Sequence, residues 1–271
     1  MAETKAYTFM DVEYWVGFDD WMAANYPLAF GICIGYLITI FGIQRLLRNR
    51  EAFKLDGALF VWNALLAAFS ITAAYYVLPS MWSVIREKGV HYDLCTTDSE
   101  WLTPWVMFFC FSKVPELIDT LFVVLRKRPL RFLHYYHHVV TLLFCWDAWA
   151  VKAEYGGWFA AMNLVVHSVM YSYFAICALK IRLPNACRPF ITTLQILQMF
   201  GGLGVVIHNA LYCDTHRRNI YFGFAMYLSY VFLFCKFFVD SYLRSSADKK
   251  AAAHAKKTAE ASKQRKTKKA E

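Results

Sequence analysis

The chain has 271 residues, 58% hydrophobic and 18% aromatic, with only 18% charged and a formal net charge of +9. Soluble domains carry roughly 25% charged residues, so this composition excludes an ordinary soluble protein and points to the bilayer. The excess positive charge sits mostly in the C-terminal tail, and no nucleic-acid partner is expected.

Residues 1–26 are acidic, with Glu3, Asp11, Glu13, Asp19 and Asp20 against Lys5. They hold no apolar run, so no cleavable signal peptide is expected there. A hydrocarbon core about 30 Å thick needs roughly 20 apolar residues per helix at 1.5 Å rise. Seven spans are predicted: Pro27 to Ile43, Leu59 to Leu78, Pro104 to Leu125, Phe132 to Ala150, Gly156 to Leu179, Pro189 to Cys213 and Asn219 to Leu243. The fold class is therefore an all-α integral membrane protein, with a seven-span domain over 27–243, an N-terminal segment 1–26 and a basic tail 244–271.

Basic residues fall on alternate loops. Arg45, Arg48, Arg50 and Lys54, then Arg126, Lys127, Arg128 and Arg131, then Lys180, Arg182 and Arg188 share one side, which the positive-inside rule assigns to the cytosol. The opposite loops mix acid with base, which puts the N-terminus in a lumen and the C-terminus in the cytosol. The tail has no aromatic residue after Tyr242 and is too polar to bury a core. Its Lys268 and Lys269 resemble a dilysine retrieval signal, which would place the chain in the endoplasmic-reticulum membrane as a multi-pass protein.

None of the eight cysteines forms a CxxC pair, which disfavours a zinc ribbon or a thioredoxin-like site. Cys95 and Cys213 lie at the non-cytosolic face, in a compartment that permits disulfides, and are expected to pair.

Polar residues recur inside the spans at helical spacing. His134, His137 and His138 stand at i, i+3 and i+4 in the fourth span; Lys113, Glu116 and Asp119 stand three apart in the third. Asn163, His167, Tyr171 and Tyr173 occupy the fifth span, Thr192, Gln195 and Gln198 the sixth, and Lys236 and Asp240 the seventh. Asp, Lys or Arg facing lipid at mid-span costs on the order of 2.5 to 3.5 kcal/mol, so the set implies a shared polar interior. From the rise per residue, His137, Asp119, Gln195 and Lys236 lie about 8 to 9 Å below the cytosolic face, with His167 deeper. A pocket open to the cytosol fits these depths.

Lys113-Val-Pro-Glu116-Leu-Ile-Asp119-Thr120, Leu133-His134-Tyr-Tyr-His137-His138, Met162-Asn163 to His167 with Met170-Tyr171-Ser-Tyr173, and Thr192-Thr-Leu-Gln195-Ile-Leu-Gln198 follow one another in order. Together they resemble the ELO family of very-long-chain fatty-acid elongases. The resemblance implies a 3-ketoacyl-CoA synthase, an acyltransferase that condenses a long-chain acyl-CoA with malonyl-CoA to a chain two carbons longer, carbon dioxide and CoA. It implies no cofactor and no metal. It further implies that spans two to seven ring a narrow acyl tunnel, with the first span outside.

An imidazole can take an acyl group from a thioester and pass it to a carbon nucleophile, which suits His137 as acyl acceptor. Carried over by position, the resemblance implies that His167 faces it as acid/base or second acyl contact, and that His134 and His138 are orienting or acid/base partners. Asn163 holds the His167 ring or polarises the thioester oxygen. Asp119 or Glu116 fixes a histidine tautomer, and Lys113 neutralises an acid or the malonyl carboxylate. Gln195, Gln198, Tyr171 and Tyr173 line the substrate path; Lys236, Arg126 and Arg128 meet CoA. Expected partners are acyl-CoA, malonyl-CoA, membrane lipids and the ketoacyl-CoA reductase, dehydratase and enoyl-CoA reductase that complete an elongation cycle; a homodimer is admitted. Pro129 stands five residues before His134, where the polyunsaturated branch of the family has glutamine, so the motif is closer to the saturated and monounsaturated branch. The competing reading is a seven-span zinc lipid amidase, with His137, His167 and Asp119 converging on the metal. A transporter or receptor is disfavoured, since no internal repeat supports paired gates.

Overall fold

Helix is the only regular structure among the described residues, 17–96 and 104–244 of this computed structural model. An apolar solvent demands it, because backbone N–H and C=O groups without water must pair within their own segment. In chain order a short α1 (Phe18–Ala24) precedes α2 (Tyr26–Leu46), α3 (Asp56–Lys88), a short α4 (Val90–Cys95) and α5 (Pro104–Ser112). Then come α6 (Ile118–Leu125), α7 (Phe132–Ala150), α8 (Gly156–Ala178), α9 (Cys187–Tyr212) and α10 (Arg217–Phe238). Lys268, Lys269 and the rest of the basic tail beyond Arg244 lie outside the described residues, as do residues 1–16 of the acidic N-terminal segment.

Among the described residues, five helices are long and apolar enough to cross a membrane: α2, α3, α8, α9, and α10 with its π-helical continuation Val239–Arg244. The other two expected spans take different forms. Pro104 to Leu125 is divided into α5, a 3₁₀ turn at Pro115–Leu117 and α6. Pro115 has no N–H to continue the ladder, so the helix breaks beside the buried Lys113 and Glu116. Phe132 to Ala150 forms the single helix α7, which carries the three histidines and Asp147. The second span extends past its predicted end at Leu78, because α3 runs on through Pro79 to Lys88. In the turn that Pro79 disturbs, the Ser80 hydroxyl donates to the Tyr76 carbonyl at 3.0 Å.

Three helices end alike. Lys127, Lys152 and Lys180 each stand two residues past the last helical residue of α6, α7 and α8, with φ of 51°, 52° and 62°. After α6 and α7 the next amide closes back onto the ladder, Arg128 N to Val123 O at 2.9 Å and Ala153 N to Ala148 O at 2.8 Å. This is a Schellman closure, in which glycine is usual. A lysine there accepts about 1 kcal/mol of left-handed strain and sets a cation against the negative end of the helix dipole.

The bundle closes on small residues. The buried positions of α3 (Asn63, Leu66, Ala67, Ser70, Ala73, Ala74, Val77, Met81, Val84) recur at three- and four-residue steps and form one stripe. That stripe meets Ala160, Ala161 and Leu164 of α8, where missing side-chain bulk lets the backbones approach. A second core joins α7, α8, α9 and α10 through Phe144, Phe159, Val206, Tyr227 and Tyr230. Gly202 of α9 is required there, since an added Cβ would fall within the Tyr227 ring. Gly202→Ala should cost about 1 to 3 kcal/mol, read as a lowered unfolding temperature in detergent. Unchanged stability would show that Tyr227 has another rotamer to enter.

α2 stands at the margin, with 22% of its most apolar window buried, and touches the bundle through Ala29, Cys33, Tyr36 and Ile40 along one face. At the opposite end from the histidines, buried Asp147 of α7 accepts hydrogen bonds from Tyr26 at 2.6 Å, Arg218 at 2.5 Å and Asn219 at 2.6 Å. Tyr155 donates in turn to Asn219. At that same end Cys95 of α4 and Cys213 after α9 are joined in a disulfide, their Cα atoms 5.1 Å apart.

Candidate active site

The histidine-bearing turns of α7 face a cavity of about 730 Å³, within the range of sites that bury a small molecule. His134, His137, His138 and His167 all line it, with Glu116, Asp119, Asn163, Tyr171, Tyr173, Gln195 and Gln198. Arg126, Arg128, Arg131 and Arg188 stand around the same cavity at the ends of their helices. A second chamber of about 250 Å³ continues from it between Phe109, Phe144, Phe159, Tyr227 and Tyr230, reaching Asp19, Lys152 and Glu154 at the disulfide end. The Asp19 carboxylate, 2.7 Å from Lys152 Nζ, raises that ammonium above its ordinary pKa. Four residues line both chambers: His137, Asn163, Gln198 and Met199.

His137 is held on several sides. Its Nδ1 shares a hydrogen bond of 3.3 Å with Thr141, one turn on, and Thr141 shares another of 2.9 Å with Tyr230. The Tyr230 hydroxyl also donates to the His137 carbonyl at 3.2 Å, and its ring centroid lies 5.1 Å from the imidazole. With Nδ1 engaged, Nε2 is the nitrogen left for chemistry. His134 Nε2 instead meets Thr120 at 3.0 Å, and Thr120 meets Tyr36 of α2 at 2.7 Å. His138 is buried edge-on to His134, with ring centroids 4.8 Å apart. The i, i+3, i+4 spacing therefore puts three rings on one wall with different neighbours.

The acids are distributed unequally. Glu116 accepts from Ser112 at 2.7 Å and from Lys113 at 2.8 Å, and its Oε1 lies 4.0 Å from His167 Nδ1. Lys113 also donates to Asn163 Oδ1 at 3.1 Å, so Lys113, Glu116, Asn163 and His167 form one buried group. Asp119 does not orient a histidine. Its two oxygens accept from Trp62 at 2.5 Å and Tyr171 at 2.8 Å.

Lys113 takes the first of its two expected roles, neutralising Glu116, and Lys236 stands away from the site. Lys113 lies behind the cavity wall, spent on Glu116 and Asn163. Lys236 points outward, paired with Asp240 at 2.7 Å one turn along α10, and lines neither chamber. The expected CoA contact for Lys236 is corrected on that ground, since an i, i+4 pair keeps both side chains on one outer face. Arg126 does line the cavity, although Asp56 accepts from it at 2.6 Å. Gln195 donates to Met170 Sδ at 3.2 Å and Tyr173 accepts from Arg188 at 3.0 Å. Among the described residues, His137, His167 and Asp119 do not gather as a set of metal ligands.

Sequence reasoning missed Thr141, Tyr230 and Trp62. Thr141 carried a usable signal, four residues after His137 on the same helical face. Tyr230 and Trp62 come from helices distant in sequence, and no local spacing marks them.

Apolar helices around a histidine-lined interior cavity define a membrane protein with an internal site. The chain belongs to the ELO, or GNS1/SUR4, family, whose model matches residues 21–250. It is 39% identical to very long chain fatty acid elongase 6 of Drosophila melanogaster over 241 residues, 84% of this chain and 76% of the relative. It is 39% identical to very long chain fatty acid elongase 6 of Gallus gallus over 82% of this chain and 87% of the relative. With long chain fatty acid elongase 2 of Caenorhabditis elegans it shares 38% identity over 86% and 89%.

Proposed function

We propose that this chain is a fatty-acid elongase of the endoplasmic-reticulum membrane, condensing a long-chain acyl-CoA with malonyl-CoA to 3-ketoacyl-CoA. The observation that carries the reading is the position of His137 on the wall shared by the histidine-lined, arginine-rimmed chamber and the aromatic-walled one. An acyl-CoA has that same division, with its thioester between a charged nucleotide and an aliphatic chain.

In the first step His137 Nε2 attacks the thioester carbon, the C–S bond breaks, and CoA thiolate leaves and takes a proton. The acyl-imidazole remains activated. Malonyl-CoA then loses carbon dioxide, and the electron pair left on its C2 attacks the acyl carbon and releases the imidazole. His167 moves the proton, ordered by Glu116, while Asn163 polarises the reacting carbonyl from the wall both chambers share. The scheme calls for no metal. With the basic loops at the histidine end, the orientation proposed is cavity mouth to cytosol across seven spans, α5 and α6 counting as one. The 3-keto product then passes to a ketoacyl-CoA reductase, a dehydratase and an enoyl-CoA reductase.

The test is purified protein in detergent with EDTA, a labelled long-chain acyl-CoA and malonyl-CoA. Labelled 3-ketoacyl-CoA and one carbon dioxide per product are expected. Free fatty acid without a longer product, or loss of turnover on chelation, would favour the zinc hydrolase instead. Arg126→Ala and Arg128→Ala should raise the KM for acyl-CoA several-fold, by about 1 kcal/mol each, and leave kcat near normal, because phosphate contacts serve ground and transition states alike. An unchanged KM would remove these arginines from the CoA site.

A further inference from the structure

A second cluster of reactive side chains lies at the other end of the bundle, apart from the proposed chemistry. His208 sits ten residues beyond Gln198 on α9, about 15 Å along the helix axis from the histidine cavity. Around the Cys95–Cys213 disulfide stand two imidazoles, His91 four residues before Cys95 on α4 and His208 five before Cys213 on α9. His91 Nδ1 lies 3.7 Å from Cys95 Sγ and 3.4 Å from His208 Nε2. His208 Nδ1 lies 4.0 Å from Cys213 Sγ. One ligand atom each from His91, Cys95 and His208 fits within 4.8 Å of the others.

Zinc bound to two imidazoles and two thiolates, with Zn–N of 2.0–2.1 Å and Zn–S of 2.3 Å, sets tetrahedral edges of about 3.3 Å between nitrogens, 3.6 Å between nitrogen and sulfur and 3.8 Å between sulfurs. The nitrogen–nitrogen edge and one nitrogen–sulfur edge are already present at 3.4 and 3.7 Å. Three nitrogen–sulfur edges and the sulfur–sulfur edge remain to form, since the two sulfurs are now bonded to each other and Cys213 Sγ lies nearest His208 Nδ1. A disulfide sulfur is a poor zinc ligand, whereas a thiolate is a strong one.

We propose that reduction of the Cys95–Cys213 disulfide converts this cluster into a Zn²⁺ site formed by His91, Cys95, His208 and Cys213. A dithiol delivers two electrons and two protons, becomes a disulfide itself, and leaves two thiols. Zn²⁺ then displaces both thiol protons and is held by two thiolates, His91 Nδ1 and His208 Nε2. The end of the bundle where α4 meets α9 is thus tied by a covalent bond in one redox state and by a metal in the other.

The test uses the whole chain in detergent, reduced with a phosphine, freed of reductant without oxygen, and titrated with Co²⁺ and then Zn²⁺. One Co²⁺ per chain is expected, with tetrahedral ligand-field bands and thiolate charge-transfer absorption, both erased by Zn²⁺. Oxidised protein should give no thiolate absorption. Zn²⁺ should slow alkylation of Cys95 and Cys213 by at least about tenfold, and the His91→Ala/His208→Ala double variant, which keeps its disulfide for folding, should lose that protection. Cys95→Ser/Cys213→Ser controls for the six other cysteines. Thiolate absorption no greater than in that control, or equal alkylation with and without Zn²⁺, overturns the site.

Discussion

Purified His137→Ala protein should form no 3-ketoacyl-CoA and carry no acyl mass after exposure to acyl-CoA alone. The expected loss is at least about four orders of magnitude in turnover, because removing a covalent nucleophile removes the pathway and not just one favourable contact. The fold should survive. Thr141 and Tyr230 keep their own 2.9 Å hydrogen bond when the imidazole is gone, and the deletion opens onto a cavity that already exists. His167→Ala is the informative companion, because loss of an acid/base group costs typically 10² to 10⁴ in rate and leaves the acyl mass on His137. Turnover of His137→Ala within tenfold of the parent would transfer the acyl group to another residue. An acyl mass that persists in His137→Ala and vanishes in His167→Ala would exchange the two roles.

The second large effect belongs to stability. Lys113→Met should destabilise the protein by about 3 to 5 kcal/mol, the cost of leaving a buried charge without its partner. Lys113 and Glu116 have side chains only 3% and 5% exposed, so water cannot replace the missing ion. Lys113 also serves Asn163 at 3.1 Å and lies 4.0 Å from the centre of the Phe109 ring, so three neighbours lose a partner together. Glu116→Leu should cost a similar amount. Lys113→Met/Glu116→Leu should recover much of it, since apolar groups of like volume replace a buried pair at little or no loss. Unfolding of the single and double variants in one detergent measures the coupling, and additive losses would show that the two residues act independently.

Much of the fold could be read from hydropathy because a bilayer imposes a simple demand on chain length. What could not be read were the places where a helix ends or persists for a local reason. The second span was ended at Leu78, yet α3 runs on through Pro79 to Lys88, whereas Pro115 does break its span, next to a buried ion pair. The cavity lining was visible in the spacing of polar residues within spans, because each such residue is costly against lipid. Spacing could not say which polar residues are consumed by one another. Asp119 or Glu116 was expected beside a histidine; Glu116 is the one near His167, while Asp119 is held by Trp62 and Tyr171. Lys236 was assigned to CoA, yet the nearer answer was Asp240, one turn away in the same helix. Tyr230, which touches His137 by its ring and by its hydroxyl, was invisible because the tertiary fold alone brings α10 to α7.

The marginal helix α2 has one more role in this arrangement. Tyr36 reaches inward from it to Thr120, and Thr120 holds His134, so two hydrogen bonds of 2.7 and 3.0 Å connect a lipid-facing helix to a ring on the wall of the cavity. A helix on the outside of a bundle is the one most free to tilt when the hydrocarbon layer is thicker or thinner than its apolar length. Any such tilt carries the Tyr36 hydroxyl with it and leaves Thr120 to serve His134 alone. Tyr36 joins α2 to the imidazole cluster twice, through Thr120 to His134 and edge-on to the His138 ring.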